Sequence, residues 1–492
     1  MGKSIKVNYF LNMSYQVLVL LVPIVTTPYI AQTLGAEGIG IYSYTYSVVS
    51  CFVLAAVMGT TSYAQRTIAY YQNDVVERSR KFFDVFSFRL VTTLLCSAVY
   101  CVYLASGFCK YKVPALVQML YLVAVAADVS WLFQGMEEFK KIVVRDTLTK
   151  LLNVFLLFLM VKSPDDVVVY TGILGGMTLL GNLSVWPYVP RLVRAIPMRE
   201  WRPFKDVREI FLLFIPTIAI QLYSVLDKMM IGAFSPSAAE NGYYEQTEKV
   251  VRVALMVVTS LGTVVAPRIA QLYHKQDEAG IKSYLKKSFQ FVWLLGVPIM
   301  CGLIGFAHLF VPVFYGPGYE KIEILMPIYS CVVAAVSISN VVGVQYLIPT
   351  KQQNVYTMAV VTSAVVNVAM NAVLIPRFLS VGAAAASVAA EAVGASMLLA
   401  FLSRKKLVNI GELLRLSVKN WIGGLLMLVA VYLFCRSANQ TFLMLCVAIG
   451  GGASVYFGAL LLMRDAFLME NIKMVYARLR NKRNRQAPDG KG

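Results

Sequence analysis

Apolar runs of about 20 residues follow one another almost from end to end of this 492-residue chain, and that spacing leaves little choice of fold. Such a run is long enough to cross a bilayer as a helix. In hydrocarbon every backbone N–H and C=O has to be satisfied inside the segment, so a chain of this kind is expected to be all-α and polytopic. About fourteen candidate spans are expected, at roughly 9–32, 39–63, 82–105, 115–135, 143–161, 167–189, 209–232, 246–267, 288–313, 322–348, 355–375, 381–402, 416–435 and 441–463. They are numbered in that order below. The composition agrees: 58% of the residues are apolar and 14% charged, where soluble domains run at roughly 45–50% and about 25%. Span 5 is the weakest, because Arg145, Asp146 and Lys150 in its first turns must reach the interface or a watery cavity.

The formal charge is +19, yet the basic residues lie between apolar runs and in the tail rather than on one polar domain. Membrane orientation accounts for them better than nucleic acid does. Of 45 Lys and Arg, 35 fall in the amino end, the carboxyl tail and the loops on that same side, and six in the loops opposite. That asymmetry predicts an even number of spans with both termini cytoplasmic. The amino-terminal run has no small-residue cleavage site, so it is expected to stay in place. Eight scattered cysteines without a CxxC pair, and His274 and His308 without neighbouring ligands, give no metal site and no disulfide framework. No cofactor is expected. With no phosphate-binding loop and no large loop, the chain is not expected to be an enzyme.

Sliding the sequence on itself by 202 residues brings Gly40 onto Gly242, Tyr42 onto Tyr244, Arg66 onto Arg268 and Tyr71 onto Tyr273. A shift of 214 brings Asn153-Val154 onto Asn367-Val368. The matches fall in the same order and at equivalent places. They predict two six-helix lobes, 1–206 and 207–403, related by a pseudo-twofold axis along the membrane normal. Residues 404–492 add spans 13 and 14 and a basic tail. Two facing lobes make a cavity that opens to either side, which is transporter architecture.

Several motifs carry a resemblance. The opening NYFLNMSYQVLVLLVPIVTTPYIAQTLGAEGIGIYSYTYSVV, the span 4 exit DVSWLFQGMEEFKKIVVRD (Asp128, Trp131, Gln134, Gly135, Glu137), LDKMMIG with GYYEQTEKV, and Glu391 after SVGAAAASVAAE are similar to oligosaccharide-lipid flippases. These serve bacterial O-antigen, capsule and exopolysaccharide pathways, within the multidrug/oligosaccharidyl-lipid/polysaccharide exporter superfamily. The resemblance spans roughly residues 7–405. It implies transfer of an undecaprenyl-diphosphate-linked oligosaccharide from the inner to the outer leaflet of the bacterial cytoplasmic membrane by alternating access. The implied partners are that lipid-linked oligosaccharide, membrane lipids and polysaccharide-assembly proteins, with no nucleic acid. Fourteen spans also resemble the peptidoglycan-precursor branch of the superfamily. Two other readings are a multidrug cation exporter of the same superfamily, which favours an acidic cavity, and a membrane glycan polymerase or acyltransferase, which ordinarily shows a large outer loop or a His/Asp/Arg cluster.

A diphosphate crosses hydrocarbon only when its charge is paired, since desolvating an ion costs on the order of ten kcal/mol or more. Candidate cations are Arg66 at the inner end of span 2, Arg89 inside span 3, Lys228 in span 7, and Lys249 and Arg252 near the outer end of span 8. Arg suits this task through its planar fork; the plain alternative is snorkelling to an interface or pairing with a helix carboxylate. Asp128, Asp227 and Glu391 lie within spans and are candidates for coupling to a proton or sodium ion. The structural alternative has Asp227 beside Lys228 and Asp128 anchoring a kink or cap near Trp131. Tyr42 and Tyr46 share a helical face and are candidates to stack on sugar rings, or else to join the interfacial belt. Pro23, Pro28, Pro216 and Pro298 are candidate hinges. In the tail, Phe467, Leu468, Ile472, Val475 and Leu479 predict an amphipathic helix on the anionic inner leaflet.

Overall fold

The computed structural model describes residues 2–474 and 477. Val475, Leu479 and the rest of the distal tail, and the side chain of Pro216, lie outside the described residues. Within them the chain is helical, without strand, and residues 466–474 begin the helix expected in the tail. Among the described residues nine helices are long and apolar enough to cross a membrane, or ten if Ala239–Thr259 and Val264–His274, bent by 41°, are one span. The fourteen expected spans are nonetheless all helical. Gly2–Val57 and Gln353–Arg404 each hold two legs that meet at a single non-helical residue, Gly35 (φ 67°) and Leu379 (φ 52°). Span 5, Phe139–Met160, and span 7, Val207–Phe234, are membrane-length helices as well. Rows of exposed aliphatic side chains, such as Leu94, Leu95, Val99 and Val102 on span 3 and Leu425, Leu426, Val429 and Leu433 on span 13, suit hydrocarbon and would not suit water. The protein is a multi-pass membrane protein.

Two boundaries differ from the sequence reading. Span 8 starts at Ala239, seven residues earlier than expected, because Ser235-Pro236-Ser237 starts the helix and the polar GYYEQTEKV segment then lies inside it. Lys249 and Arg252 are therefore well along the helix and not near the end at which it begins. Span 4 is broken: its first piece, Lys112–Ala127, stops at Asp128, and a short helix, Ser130–Gly135, completes the crossing.

The chain divides into two compact units. The first is Met1–Gln246 with Tyr315–Tyr319 and Asn367–Ala383; the second is Thr247–Phe314, Glu320–Val366 and the described residues from Ala384 onward. The first unit has an aromatic core near the basic loops, where Trp131 packs on Phe82 and among Phe88, Phe133 and Val189. In the second, spans 9, 13 and 14 enclose Leu309, Met427, Val431, Leu445 and Leu460. A polar pin runs through that apolar contact: the Tyr456 hydroxyl bonds the Leu294 carbonyl at 3.0 Å and Asn420 Oδ1 at 2.9 Å.

Where the basic loops meet the first unit, Lys81 Nζ donates to Asp206 Oδ2 at 2.5 Å. Burial alone would raise the Asp206 carboxyl, but the hydrogen bonds from Lys81 and Tyr63 outweigh it and hold it below the ordinary carboxylate range. A carboxyl lowered by folding stabilises above its unfolded value, about 3.9, and loses that contribution as pH falls through the folded value. Asp206→Asn is therefore expected to lower thermal stability at pH 7, and the difference from the wild type to start shrinking only below about pH 4 and to vanish once pH is below the lowered folded value. Unfolding curves of the purified protein across pH check this; a constant difference between the two proteins would refute it.

Candidate functional site

After the non-helical Gly35 the chain continues as span 2, and the next turns of helix make a close interhelical approach. A Cβ on Gly40 would lie 1.7 Å from the Ala238 carbonyl oxygen, and one on Gly242 would lie 2.1 Å from the Ala36 carbonyl oxygen. Ala36 and Ala238, like Gly40 and Gly242, are related by the 202-residue repeat. The two contacts, Gly40 on Ala238 and Gly242 on Ala36, thus join positions that the same 202-residue offset relates. Glu37 closes the crossing. Its carboxylate accepts from the Ser237 hydroxyl at 2.7 Å and from the Ala238 and Ala239 N–H groups at 3.1 and 3.0 Å, where the N-terminus of span 8 leaves donors unsatisfied.

One turn deeper the repeat partners meet again, now as polar groups. Ser43 donates to Glu245 Oε2 at 2.9 Å, and the same oxygen takes the Lys228 ammonium at 2.5 Å. Lys228 and Glu245 are only 16% and 14% exposed, so the ion pair sits in largely desolvated surroundings. Asp227, next to Lys228 in sequence, has further partners of its own. Consecutive helix residues point about 100° apart, and Asp227 faces another helix. It is buried and accepts from the Tyr244 hydroxyl at 2.6 Å and from Asn371 Nδ2 at 2.5 Å, while Asn371 Nδ2 also reaches Asn367 Oδ1 at 3.0 Å. Asn371 Oδ1, buried, has no hydrogen-bond partner.

Tyr42 and Tyr46 do share a face. They stack at 5.6 Å and join Tyr121 and Tyr170, with Tyr46 edge-on to Tyr121 at 5.1 Å and Tyr42 edge-on to Tyr170 at 4.9 Å. The Tyr42 and Tyr121 hydroxyls are 3.2 Å apart, and Gln118 Nε2 ties the helix down through the Tyr42 carbonyl and Thr45 Oγ1. Tyr121 also lines a cleft of about 380 Å³ between spans 4, 5 and 6, together with Arg145, Asp146, Lys150, Asn153 and Asn182. The charges that made span 5 look weak gather here.

Arg89 and Asp128 meet each other and none of the other candidates. The Arg89 guanidinium, 2% exposed, reaches Asp128 Oδ2 at 3.1 Å, the Asp128 carbonyl at 2.9 Å and Thr61 Oγ1 at 2.8 Å. It thereby joins two interrupted helices, span 2 at its left-handed Gly59 (φ 76°) and span 4 at Asp128. Asp128 Oδ1 caps the restart by accepting from Ser130 N at 2.9 Å, and its carbonyl also takes the Trp131 indole at 3.1 Å. Asp128 thus caps and anchors the break in span 4 beside Trp131, and Arg89 Nε is left buried without a hydrogen-bond partner. Arg66 is half exposed, pairs with Glu209 at 3.1 Å, and lines a second cleft of about 410 Å³ with Gln65, Gln134 and Glu137. Lys249, Arg252 and Glu391 belong to the second unit, where Arg252 Nε binds Glu248 at 2.8 Å, and Lys249 and Glu391 are half-buried.

Sequence reasoning missed Glu245, Tyr121, Asn371 and the grouping of Arg145 with Lys150 and Asn153. The late start assigned to span 8 hid Glu245; the SPS segment was the available signal. Tyr121 and Asn371 are single polar residues in apolar helices, and only packing reveals their partners.

Comparisons place these features among known proteins. Residues 5–273 match the family described as "Polysaccharide biosynthesis protein". A curated relative, the "Putative O-antigen transporter" of Escherichia coli (strain K12), is 23% identical over 395 residues, 79% of this chain and 94% of the relative. Among solved structures, the lipid II flippase MurJ in an inward closed conformation superposes with a TM-score of 0.73 at 16% identity, covering 93% of this chain and 99% of that one. An inward-facing multidrug resistance transporter of the MATE family reaches 0.59 at 12% identity, covering 77% and 94%.

Proposed function

This chain belongs to the polysaccharide biosynthesis protein family, and from that premise we propose that it flips a lipid-linked oligosaccharide. The cargo is an undecaprenyl-diphosphate-linked repeat unit, moved from the inner to the outer leaflet of the bacterial cytoplasmic membrane by alternating access. Both termini and the basic loops face the cytoplasm. Residues 1–206 and 207–403 act as the two lobes, 404–492 as an addition to them. Membrane lipids and polysaccharide-assembly proteins are its surroundings, and it performs no covalent chemistry.

The observation that carries this reading is the polar network set inside apolar helices at repeat-related positions, Ser43 with Glu245 and Lys228, beside Asp227 with Tyr244 and Asn371. Intramembrane charge is costly and is kept where function needs it. The close glycine crossing and its Glu37 clasp lie on the side away from the basic loops, and they serve as the outward closure of an alternating-access cycle. The relative named as an O-antigen transporter supports lipid-linked sugar as cargo, and the higher superposition on a lipid II flippase favours lipid over drug. Asp227 is the coupling residue best supported. An acid walled by phenol and amide groups can exchange a proton or hold a small cation without leaving a bare charge.

Flipping of a labelled undecaprenyl-diphosphate oligosaccharide in proteoliposomes containing only this chain, with and without a proton or sodium gradient, tests the proposal. Gradient-stimulated movement is expected, and Asp227→Asn is expected to abolish the stimulation. Transport of drug cations without lipid movement would overturn the flippase reading. Unchanged gradient dependence in Asp227→Asn would remove the coupling role.

A further inference from the structure

Between spans 9 and 10 the chain reads Tyr315-Gly316-Pro317-Gly318-Tyr319, and these five residues fold with the first unit although the residues on either side belong to the second. Gly316 (φ 82°) and Gly318 (φ 86°) take left-handed backbone that other residues rarely adopt, and Pro317 between them fixes its own φ. Together they restrict the loop to a shape in which its two tyrosines stack, with ring centroids 5.2 Å apart. Both are buried, at 0% and 1% exposed.

Their hydroxyls reach two different helices. Tyr319 donates to the Ala31 carbonyl of span 1 at 3.0 Å, and Tyr315 donates to the Gln246 carbonyl of span 8 at 3.0 Å. A carbonyl oxygen in a helix keeps a second lone pair, so each bond is added to the helix and not taken from it. Tyr243 of span 8 lies edge-on to Tyr319 at 6.1 Å. Ala31 comes about one turn before the Gly35 break, and Gln246 about one turn past Gly242. The chain is thus held to span 8 on both sides of that break. After it, the glycine crossing and the Glu37 clasp make the contact; before it, the two tyrosines do.

A stiff loop cannot follow two helices that move apart, so parting span 1 from span 8 withdraws at least one hydroxyl from its carbonyl. We propose that the Tyr315–Tyr319 loop is a strap that ties span 1 to span 8 and keeps the side away from the basic loops closed until one of those bonds is released. It rests on the alternating-access reading, in which the helices around Gly35 part on that side.

The test uses the full-length protein in nanodiscs, in a cysteine-free background carrying Ala239→Cys, and times labelling by a membrane-impermeant maleimide. Ala239→Cys keeps the backbone N–H from which Glu37 accepts. Tyr319→Phe retains the ring and loses the hydroxyl; it is expected to speed labelling about fivefold, the population change that goes with one hydrogen bond of ordinary net strength. Gly318→Ala, whose added methyl meets no described atom within 4 Å, strains only the backbone and is expected to speed labelling as well. Adding Tyr315→Phe to Tyr319→Phe is expected to change little more, because a strap cut at one end holds nothing. Labelling unchanged in Tyr319→Phe, or effects that multiply in the double variant as separate contacts do, would overturn the strap. A lowered melting temperature without faster labelling would overturn it too, by making the bond structural only. If lipid is flipped in proteoliposomes while labelling ignores Tyr319→Phe, the strap is rejected and the flippase reading survives. If labelling depends on Tyr319 and no lipid is flipped, the strap stands and the flippase reading fails.

Discussion

Alanine at Gly40 or at Gly242 lowers flipping about tenfold or more while leaving the chain inserted in the membrane. The added methyl has nowhere to go, because its carbon would sit 1.7 or 2.1 Å from a backbone carbonyl oxygen of the facing helix. Backbone cannot rotate aside as a side chain does, so the two helices must part. Overpacking of this kind costs typically about 1–3 kcal/mol, and each 1.4 kcal/mol is about a factor of ten in population. The closed crossing would thus give up much of its population, and the Glu37 clasp to Ser237, Ala238 and Ala239 would open with it. The rest of each helix is unaffected, which is why insertion survives. In a cysteine-free background, a cysteine at Ser237 should react faster with a membrane-impermeant maleimide once Gly40 is alanine. Unchanged labelling together with wild-type flipping would show that the crossing plays no part in closure.

The second large effect is on stability. Asp128→Asn is expected to destabilise the protein by about 3–5 kcal/mol, the usual consequence of leaving one member of a buried ion pair unmatched. Asparagine keeps an oxygen for the Ser130 cap, so the cost falls on Arg89, whose guanidinium is 2% exposed and has no other carboxylate among its hydrogen-bond partners. Adding Arg89→Met to Asp128→Asn removes the unmatched charge and is expected to recover much of the loss, since apolar replacement of buried pairs is often neutral or better. Chemical unfolding of the purified single and double variants measures both. Should Asp128→Asn fall within about 1 kcal/mol of wild type, the latch between spans 2 and 4 contributes little.

Much of this architecture was legible in residue order. Membrane length and hydropathy place every span, and they do so even where two legs share one continuous helix, because Gly35 and Leu379 turn the chain within a single residue. The offset that paired Gly40 with Gly242 picked out two glycines that meet in a close helix contact. The site was less legible. Arg89 reads as a candidate phosphate ligand from its position alone, and only packing shows its contacts with Asp128 and Thr61. Asp227 and Lys228 are adjacent, and each also has a partner 17 residues further along the chain, Tyr244 and Glu245, that adjacency does not reveal. Span 5 read as the weakest because its charges were counted against lipid.

By itself the sequence determined the solvent, the helical class and the places of the spans. These depend on composition and period, which are local properties and need no partner to be named. Tertiary structure alone decided which oxygen receives Lys228, that Arg145 and Lys150 share a cleft with Asn153, and that Asp128 ends a helix in order to meet Arg89. In hydrocarbon a polar side chain is stable only beside its complement, and that complement is chosen by how helices cross, over distances that no sequence pattern of period 3.6 records.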